Sequence, residues 1–451
     1  MNSSMVVVPE QPVRYLKKRP VVTILLVLAN LAVYFYTSRA RSFLQTDPYY
    51  IYTYGFNPLL LPTLDGVKRI FTSMFIHADL FHILFNMLFL YLFGKSVEAV
   101  TGSLRFLILY FIGGLGAVLF HIALIPIGGY EALVIPAVGA SGAISAVLGA
   151  FFILFPHTRV SLCMFFFFLP ICLPLPSSIY LLIWFAEQVI YGYLNLGGVA
   201  YFAHAGGFVA GVAAVWLIAS GPINRLKTRL TSPLEEYLHS IGVFPRKFYT
   251  LGAGTKILVT ILLFALLAGF YISWETNKEM TSVYSLSIEA GGVNDTVILY
   301  SREGSWIVSQ SPVDTVRFVV NRLHPAGLLA NPELAGRSIT NRSIPRYFVE
   351  IHGVRTPVNL YIDEVVYDEN GLVEVFKGSM RSYFVIITAS GEAFLDETKE
   401  VSVSFSIWRG QVETLKYINY SVYASAVLTL IAIGVVLAAD RFSVVTDVAY
   451  E

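Results

Sequence analysis

The sequence predicts a polytopic α-helical membrane protein: a six-helix N-terminal bundle, then two further transmembrane helices flanking a small β-rich extramembrane domain. Three observations carry this. The chain is 56 % hydrophobic and only 14 % charged, whereas about 25 % of residues are charged in an average soluble domain. Its charges are unevenly placed, with 18 acids and 13 bases between Glu275 and Lys416, half of all the charged side chains. The remainder is broken into apolar runs of the length that membrane helices need.

Crossing a ~30 Å hydrocarbon core takes about 20 helical residues, fewer inside a bundle. Candidate spans are Val21–Tyr36, Leu80–Phe93, Leu104–Ile125, Ala140–Phe155, Ile179–Tyr191, Val199–Ala219, Ile257–Ile272 and Val422–Ala439. Several are short and carry polar residues, which suits helices shielded by neighbours. Thr23 to Tyr36 follows Arg14, Lys17, Lys18 and Arg19 and reads as a retained signal anchor. Those four bases, and Arg225, Lys227, Arg229, Arg246, Lys247 and Lys256 opposed by Glu235 and Glu236, put both segments on the cytoplasmic side. The six spans between them are an even number, so the two assignments agree. A seventh span then carries the chain out and an eighth returns it. The expected organisation is a cytoplasmic tail (1–20), the bundle (21–219), a basic cytoplasmic linker (220–256), a seventh helix (257–272), an outer domain (273–420), an eighth helix (421–439) and a cytoplasmic tail (440–451). The expected location is the cell membrane.

The outer segment holds short β-branched and aromatic pieces: Val297–Tyr300, Trp306–Val308, Arg317–Val320, Tyr347–Ile351, Val358–Ile362, Tyr383–Thr388 and Val401–Trp408. Turn signals such as Asn370-Gly371 and Ser390-Gly391 separate them. A small β-rich domain is expected, a sandwich being one form open to it. Asn294 and Asn341 head Asn-x-Ser/Thr triplets, a pattern short enough to arise by chance.

The net charge of +1 gives no pointer to nucleic acid. Two cysteines, Cys163 and Cys172, exclude by count a disulfide scaffold and a four-cysteine zinc site. They read as buried apolar fillers.

Polar groups at membrane depth are costly and ask for an explanation. His82 and Asn86 lie one helical turn apart on one face, able to donate hydrogen bonds sideways or to hold helices together. Ser141 sits in Gly139-Ala140-Ser141-Gly142 and opens an apolar helix, where backbone N–H groups are unpaired and point outward. A serine there can attack a carbonyl while those N–H groups receive the oxyanion, and the glycines let a substrate backbone approach. An N-cap serine at a packing seam is the plainer alternative. His204, in Ala203-His204-Ala205-Gly206-Gly207, shares a helical face with Gly207 and Gly211. Gly142, Ser145 and Gly149 form a matching small-residue stripe, so close packing of the two helices brings the imidazole toward the Ser141 hydroxyl. A satisfied core histidine would explain His204 but not its coincidence with the other motifs.

Phe75-Ile76-His77 with His82-Ile83-Leu84-Phe85-Asn86, then Gly139-Ala140-Ser141-Gly142, then Ala203-His204-Ala205-Gly206-Gly207 together resemble the rhomboid intramembrane serine protease family. The order of the motifs, their placement on the second, fourth and sixth spans, and the six-helix count agree over roughly Arg69 to Trp216. The resemblance implies a Ser141–His204 dyad without an aspartate, and an oxyanion site from His82, Asn86 and the Ser141 backbone N–H. It implies that His77 helps keep water ordered, that Arg69 and Glu98 are structural, and that Phe85 lines the substrate's entry route. It further implies supporting roles for Gly139, Gly142, Gly207 and Gly211, no metal or other cofactor, and transmembrane proteins within the lipid as substrates. Two positions depart from the family pattern. Ser145 stands where some members carry an aromatic that stacks on the histidine, and Lys68 replaces a tryptophan often found before the loop arginine.

A metalloprotease would need an HExxH motif and an aspartyl protease would need aspartates within spans; the sequence supplies neither. The rivals are a catalytically silent rhomboid-like protein that binds transmembrane clients, and a transporter, for which Glu187 is the only acid suitably placed. The outer domain is expected to recruit substrate, to act as a lid, or to bind an envelope component or protein partner. All proposed catalytic groups lie between His77 and His204, so the appended helices would matter to them only through apolar contacts with the bundle.

Overall fold

The computed structural model describes residues 5–9, 19–61, 63–166, 169–195, 200–230, 250–279, 283–302, 305–309, 311, 313–387, 393–412 and 415–442. The chain divides into two units, one made of Met1–Gly129, Pro136–Lys278 and Thr414–Glu451, the other of Tyr130–Ile135 and Glu279–Glu413.

The first unit is helical: α1 (Val21–Ser38), α2 (Leu80–Thr101), α3 (Ser103–Ala123), α4 (Ser141–Leu154), α5 (Ser177–Tyr193), α6 (Tyr201–Leu230), α7 (Ala253–Glu279) and, near the C-terminus, a helix over Leu415–Leu437. Among the described residues, six segments are long and apolar enough to cross a membrane: Val21–Arg41, Leu80–Thr101, Ser103–Ala123, Tyr201–Ala219, Ala253–Asn277 and Lys416–Leu437. The chain is thus a polytopic helical membrane protein. α4 has 14 residues, about 21 Å of helix, and falls short of the bilayer thickness. It is also wrapped by protein, since every residue from Gly142 to Leu154 is buried.

Glycine sets the spacing around α4. A Cβ at Gly207 would overlap the Gly142 carbonyl oxygen, one at Gly211 the Ala146 carbonyl oxygen, and one at Gly149 the Phe208 carbonyl oxygen. α4 and α6 therefore touch backbone to backbone, which only residues without a side chain allow. At the other end of the bundle, buried Glu98 fastens three helices. Its carboxylate accepts the Val22 and Thr23 backbone N–H groups at 2.9 and 2.8 Å, the Thr23 hydroxyl at 2.7 Å and the Ser103 hydroxyl at 2.6 Å. An anion at the start of α1 is favoured by the unpaired N–H groups and dipole there.

The added helices pack on the bundle. The Ser273 hydroxyl donates to the Ala123 carbonyl, the Tyr193 hydroxyl donates to the Ala265 carbonyl at 2.7 Å, and the Phe120 and Phe270 rings meet edge to face at 5.1 Å. The C-terminal helix lies against α3 and α6, with Asn419 bonded to Asn277 at 3.1 Å. These are the apolar and polar contacts that the sequence alone does not reveal.

Two further differences appear in this unit. α6 continues to Leu230, past the expected end of the bundle at Ala219. Between α4 and α5 stands a hairpin, β2 (Arg159–Phe166) and β3 (Leu169–Pro176), with β1 (Met5–Pro9) from the tail beside β2. β3 tolerates Pro170, Pro174 and Pro176 because it is an edge strand. Cys163 and Cys172 face each other in its register; the reading of their side chains as buried lies outside the described residues.

The second unit is a curled antiparallel half-barrel of seven strands in the order β6-β5-β4-β10-β9-β8-β7. The strands are β4 (Val283–Ala290), β5 (Val293–Arg302), β6 (Ser305–Val308), β7 (Ser338–Ile351), β8 (Val354–Tyr367), β9 (Val373–Ile387) and β10 (Ala393–Gln411). It is one sheet and not a sandwich. The missing second layer is supplied by α8 (Asp314–Leu323), whose Val316, Val319, Val320 and Leu323 join Leu286, Val297, Leu360 and Phe405 in the core. Arg317–Val320 is therefore helical, correcting the strand expected there. The Asn370-Gly371 turn forms with Gly371 at φ +75°, while the Asp368 carboxylate accepts the Asn370 and Leu372 N–H groups at 2.9 Å. Ser390-Gly391 lies outside the described residues. Asn294 and Asn341 sit in β5 and β7. Tyr130–Ile135 belongs to this unit, with buried Leu133 and a Tyr130 ring 5.7 Å from that of Tyr300.

Candidate active site

The loop before α4 is fixed at three points. Phe56 and Ala137 exchange backbone hydrogen bonds at 2.9 and 2.8 Å, the Gly139 N–H donates to the Ser73 carbonyl at 2.9 Å, and the Ala140 N–H donates to His77 Nε2 at 3.4 Å. Gly139 takes φ +120°, a left-handed conformation that a side chain would strain. Ser141 then begins the helix, so its N–H and the next two have no intrahelical partner.

Ser141 and His204 meet at this point. Ser141 Oγ lies 2.8 Å from His204 Nε2, within the range for a nucleophile and its base. The approach follows from the glycine contacts between α4 and α6, which let the two helix axes close until these side chains touch.

His82 and Asn86 come from α2. The Asp79 carboxylate caps α2 by accepting the His82 backbone N–H at 2.9 Å, which seats the histidine in the first turn. His82 Nδ1 accepts the Ala78 N–H at 3.4 Å, so its ring proton sits on Nε2. The space that a Gly139 Cβ would fill is 2.6 Å from His82 Nε2 and 3.6 Å from Ser141 Oγ. The His82 ring and the Ser141 hydroxyl thus border one small volume that the glycine keeps clear. Asn86 is buried, and its Nδ2 donates to the His82 carbonyl at 2.8 Å, leaving its second amide hydrogen. His77 is fully buried, its ring 5.0 Å from that of His82 at 70°, with Nδ1 unbonded. Phe85 is half exposed on the outer face of α2, beside exposed Leu84 and Phe81. Arg69 pairs with Asp65 at 2.6 Å and donates to the Tyr52 carbonyl, which ties the first loop together.

The departure at Ser145 has a structural answer. Its hydroxyl turns back onto the Ser141 carbonyl at 2.7 Å and leaves the imidazole alone. α5 supplies the missing support: the Trp184 indole lies 6.4 Å from the His204 ring at 29°, and Gln188 Oε1 is 2.9 Å from His204 Nδ1. Neither residue belongs to the motifs that the sequence singles out. The available signal was their spacing, one turn apart, with the amide beside Glu187 in a mostly apolar stretch.

Residues 65–221 match the family model described as the rhomboid domain. Among similar proteins, Rhomboid protein 1, mitochondrial, from Saccharomyces cerevisiae is 33 % identical over 162 residues, covering 35 % of this chain and 44 % of that protein. Rhomboid protease AarA from Providencia stuartii is 36 % identical over 98 residues, 22 % of this chain and 35 % of its own. RHOMBOID-like protein 12, mitochondrial, from Arabidopsis thaliana is 32 % identical over 172 residues, 34 % and 48 %. The chain spans less than half the length of each of these relatives.

Proposed function

This chain belongs to the rhomboid family through residues 65–221, and on that premise we propose that it is an intramembrane serine endopeptidase. It cleaves peptide bonds in or near transmembrane segments of membrane protein substrates. The observation that carries the reading is the 2.8 Å contact of Ser141 Oγ with His204 Nε2, placed where a helix N-terminus and His82 can receive an oxyanion.

In the first step His204 Nε2 takes the hydroxyl proton as Ser141 Oγ bonds to the scissile carbonyl carbon. The carbonyl oxygen becomes an oxyanion beside Gly139, where His82 Nε2–H, the Ser141 N–H and the Asn86 amide donate to it. His204 then returns its proton to the leaving amine as the C–N bond breaks, giving an acyl-enzyme. Water, activated by the same imidazole, releases the new carboxylate and restores Ser141. His77 supports the loop through the Ala140 N–H and is suited to keep that water ordered. Phe85 lines the lateral route from lipid. Gly139, Gly142, Gly207 and Gly211 hold the clearances.

The test is a fluorophosphonate probe applied to the purified chain in detergent. The native protein is expected to label, and Ser141→Ala is not. A native chain that stays unlabelled would favour a silent client-binding protein.

His82→Ala and Asn86→Ala are each expected to lower kcat about 10²–10³-fold with little change in KM, because their donors act on charge present only in the transition state. Unchanged kcat together with a lowered Tm would mark these side chains as interhelical glue.

The proposed topology has eight spans, with α4 and α5 shielded within the bundle, both termini cytoplasmic in the cell membrane, and the 273–420 domain outside. In this reading that domain recruits substrate or an envelope partner. With Cys163 and Cys172 replaced by serine, an impermeant maleimide is expected to label a cysteine at exposed Thr398 and not one at Lys227. The reverse pattern would invert the orientation.

A further inference from the structure

We propose that Gln188 is a positioning residue: by accepting the His204 Nδ1 proton, its side-chain amide fixes the tautomer in which His204 can act as a base. The inference rests on the proteolytic reading above and adds a third member to the catalytic pair.

The argument begins with the amide's own orientation. Gln188 is buried, at 4 % exposure, and its Nε2 donates to the Trp184 carbonyl one turn earlier at 3.3 Å. Turning the amide over would set its oxygen against that carbonyl oxygen, two acceptors facing each other with no hydrogen between them. Oε1 therefore points away from Trp184, and it lies 2.9 Å from His204 Nδ1. An amide oxygen only accepts, so Nδ1 carries the ring proton. A neutral imidazole has one N–H, so Nε2 carries the lone pair. That lone pair faces Ser141 Oγ at 2.8 Å. The chain Trp184 carbonyl, Gln188 amide, His204 imidazole, Ser141 hydroxyl thus has a single consistent direction of donation, ending on a serine whose proton is aimed at a base.

Without an acceptor at Nδ1 the ring is free to carry its proton on Nε2, which presents the Ser141 hydroxyl with a donor and no base. In the soluble triads a carboxylate prevents this and also stabilises the imidazolium. A neutral amide does only the first. This avoids burying a second charge among the helices, where an unpaired carboxylate is costly. Trp184, through its carbonyl and its indole against the His204 ring, holds the amide and the imidazole in the same register.

The experiment uses the full chain in detergent and two readouts. One is the second-order rate of fluorophosphonate labelling at Ser141; the other is the ¹⁵N signal of the His204 ring, assigned by its loss in His204→Asn. Gln188→Leu is expected to slow labelling about ten- to a hundredfold and to move the ring proton off Nδ1. Gln188→Glu keeps the length and an acceptor and is expected to label within about threefold of the native rate. Gln188→Asn is one methylene too short and is expected to behave as the leucine variant, which it replaces if that variant does not fold. Native labelling in Gln188→Leu and Gln188→Asn would overturn the proposal. So would slower labelling with the Nδ1 proton still in place, since that is the signature of packing alone. If the native chain fails to label, the proteolytic reading falls, but the ¹⁵N signal still decides the matter: a proton that leaves Nδ1 in Gln188→Leu upholds the role, and one that stays refutes it.

Discussion

Ser141→Ala and His204→Ala are each expected to abolish cleavage of a transmembrane reporter while leaving Tm within a few degrees of the native value. In the proposed mechanism the hydroxyl forms the bond, and no neighbour can replace it: Ser145, the next hydroxyl on α4, is turned onto the Ser141 carbonyl. On the same proposal, loss of the imidazole removes both the base for attack and the acid for amine departure, two roles of one group. In serine proteases such deletions cost on the order of 10⁶ in kcat and are not additive. The double variant is therefore expected to be no worse than either single one. The stability cost is one partly buried hydrogen bond for Ser141→Ala and two for His204→Ala, about 1 kcal/mol each. Product formation by either purified variant, above a heat-killed control, would remove the pair from the mechanism.

Gly207→Ala is expected to be nearly as damaging to activity, and to destabilise the fold as well. The new Cβ would overlap the Gly142 carbonyl oxygen and stand 3.0 Å from Ser145 Cβ. The obstructing atom is backbone and cannot rotate away, so α4 and α6 must move apart. Ser141 rides on one of these helices and His204 on the other, one turn or less from the point of overlap. Overpacking of this kind costs about 1–3 kcal/mol, and a displacement of about 1 Å in a catalytic pair about a hundredfold in rate. Gly434→Ala, on a helix where an added Cβ meets nothing within 4 Å, is the control for methyl addition within a membrane helix. Labelling rate and thermal unfolding in detergent measure both effects. Equal behaviour of the two variants would mean that the α4–α6 contact is looser than described.

The motifs on α2, α4 and α6 were legible because membrane helices make polar groups and glycines rare enough to stand out, and helical spacing then assigns them to faces. Trp184 and Gln188 escaped because a tryptophan and an amide in an apolar helix have ordinary uses at a lipid interface or between helices. Only the fold shows that α5 turns this face toward His204. The helix at Arg317–Val320 was missed for a different reason. Phe318, Val319 and Val320 in a row look like a strand, but the burial of Val316, Val319, Val320 and Leu323 follows the i, i+3, i+4, i+7 rule of a helix, which shows only over a longer window. A sandwich was one form open to the sequence because strand content says nothing of what covers the sheet. One amphipathic helix can fill the hollow of a curled sheet as well as a second layer can. The packing of α7 and the C-terminal helix on the bundle depends on single contacts, such as Ser273 to the Ala123 carbonyl, that no periodicity announces.

The second unit is assembled from two stretches of chain, Tyr130–Ile135 and Glu279–Glu413, and this sets an order of events during synthesis. The ribosome makes residues 130–135 first, then the rest of the rhomboid domain, and only afterwards the strands among which Leu133 and Tyr130 are buried. At about 5–20 residues per second the sheet takes on the order of ten seconds to emerge after α7. For that interval the chain just ahead of Ser141 has its apolar side chains waiting for a partner not yet translated. Residues 136–140, by contrast, have their partners Phe56, Ser73 and His77 already made. The settling of residues 130–135 is therefore timed by elongation of the strands they join in the second unit.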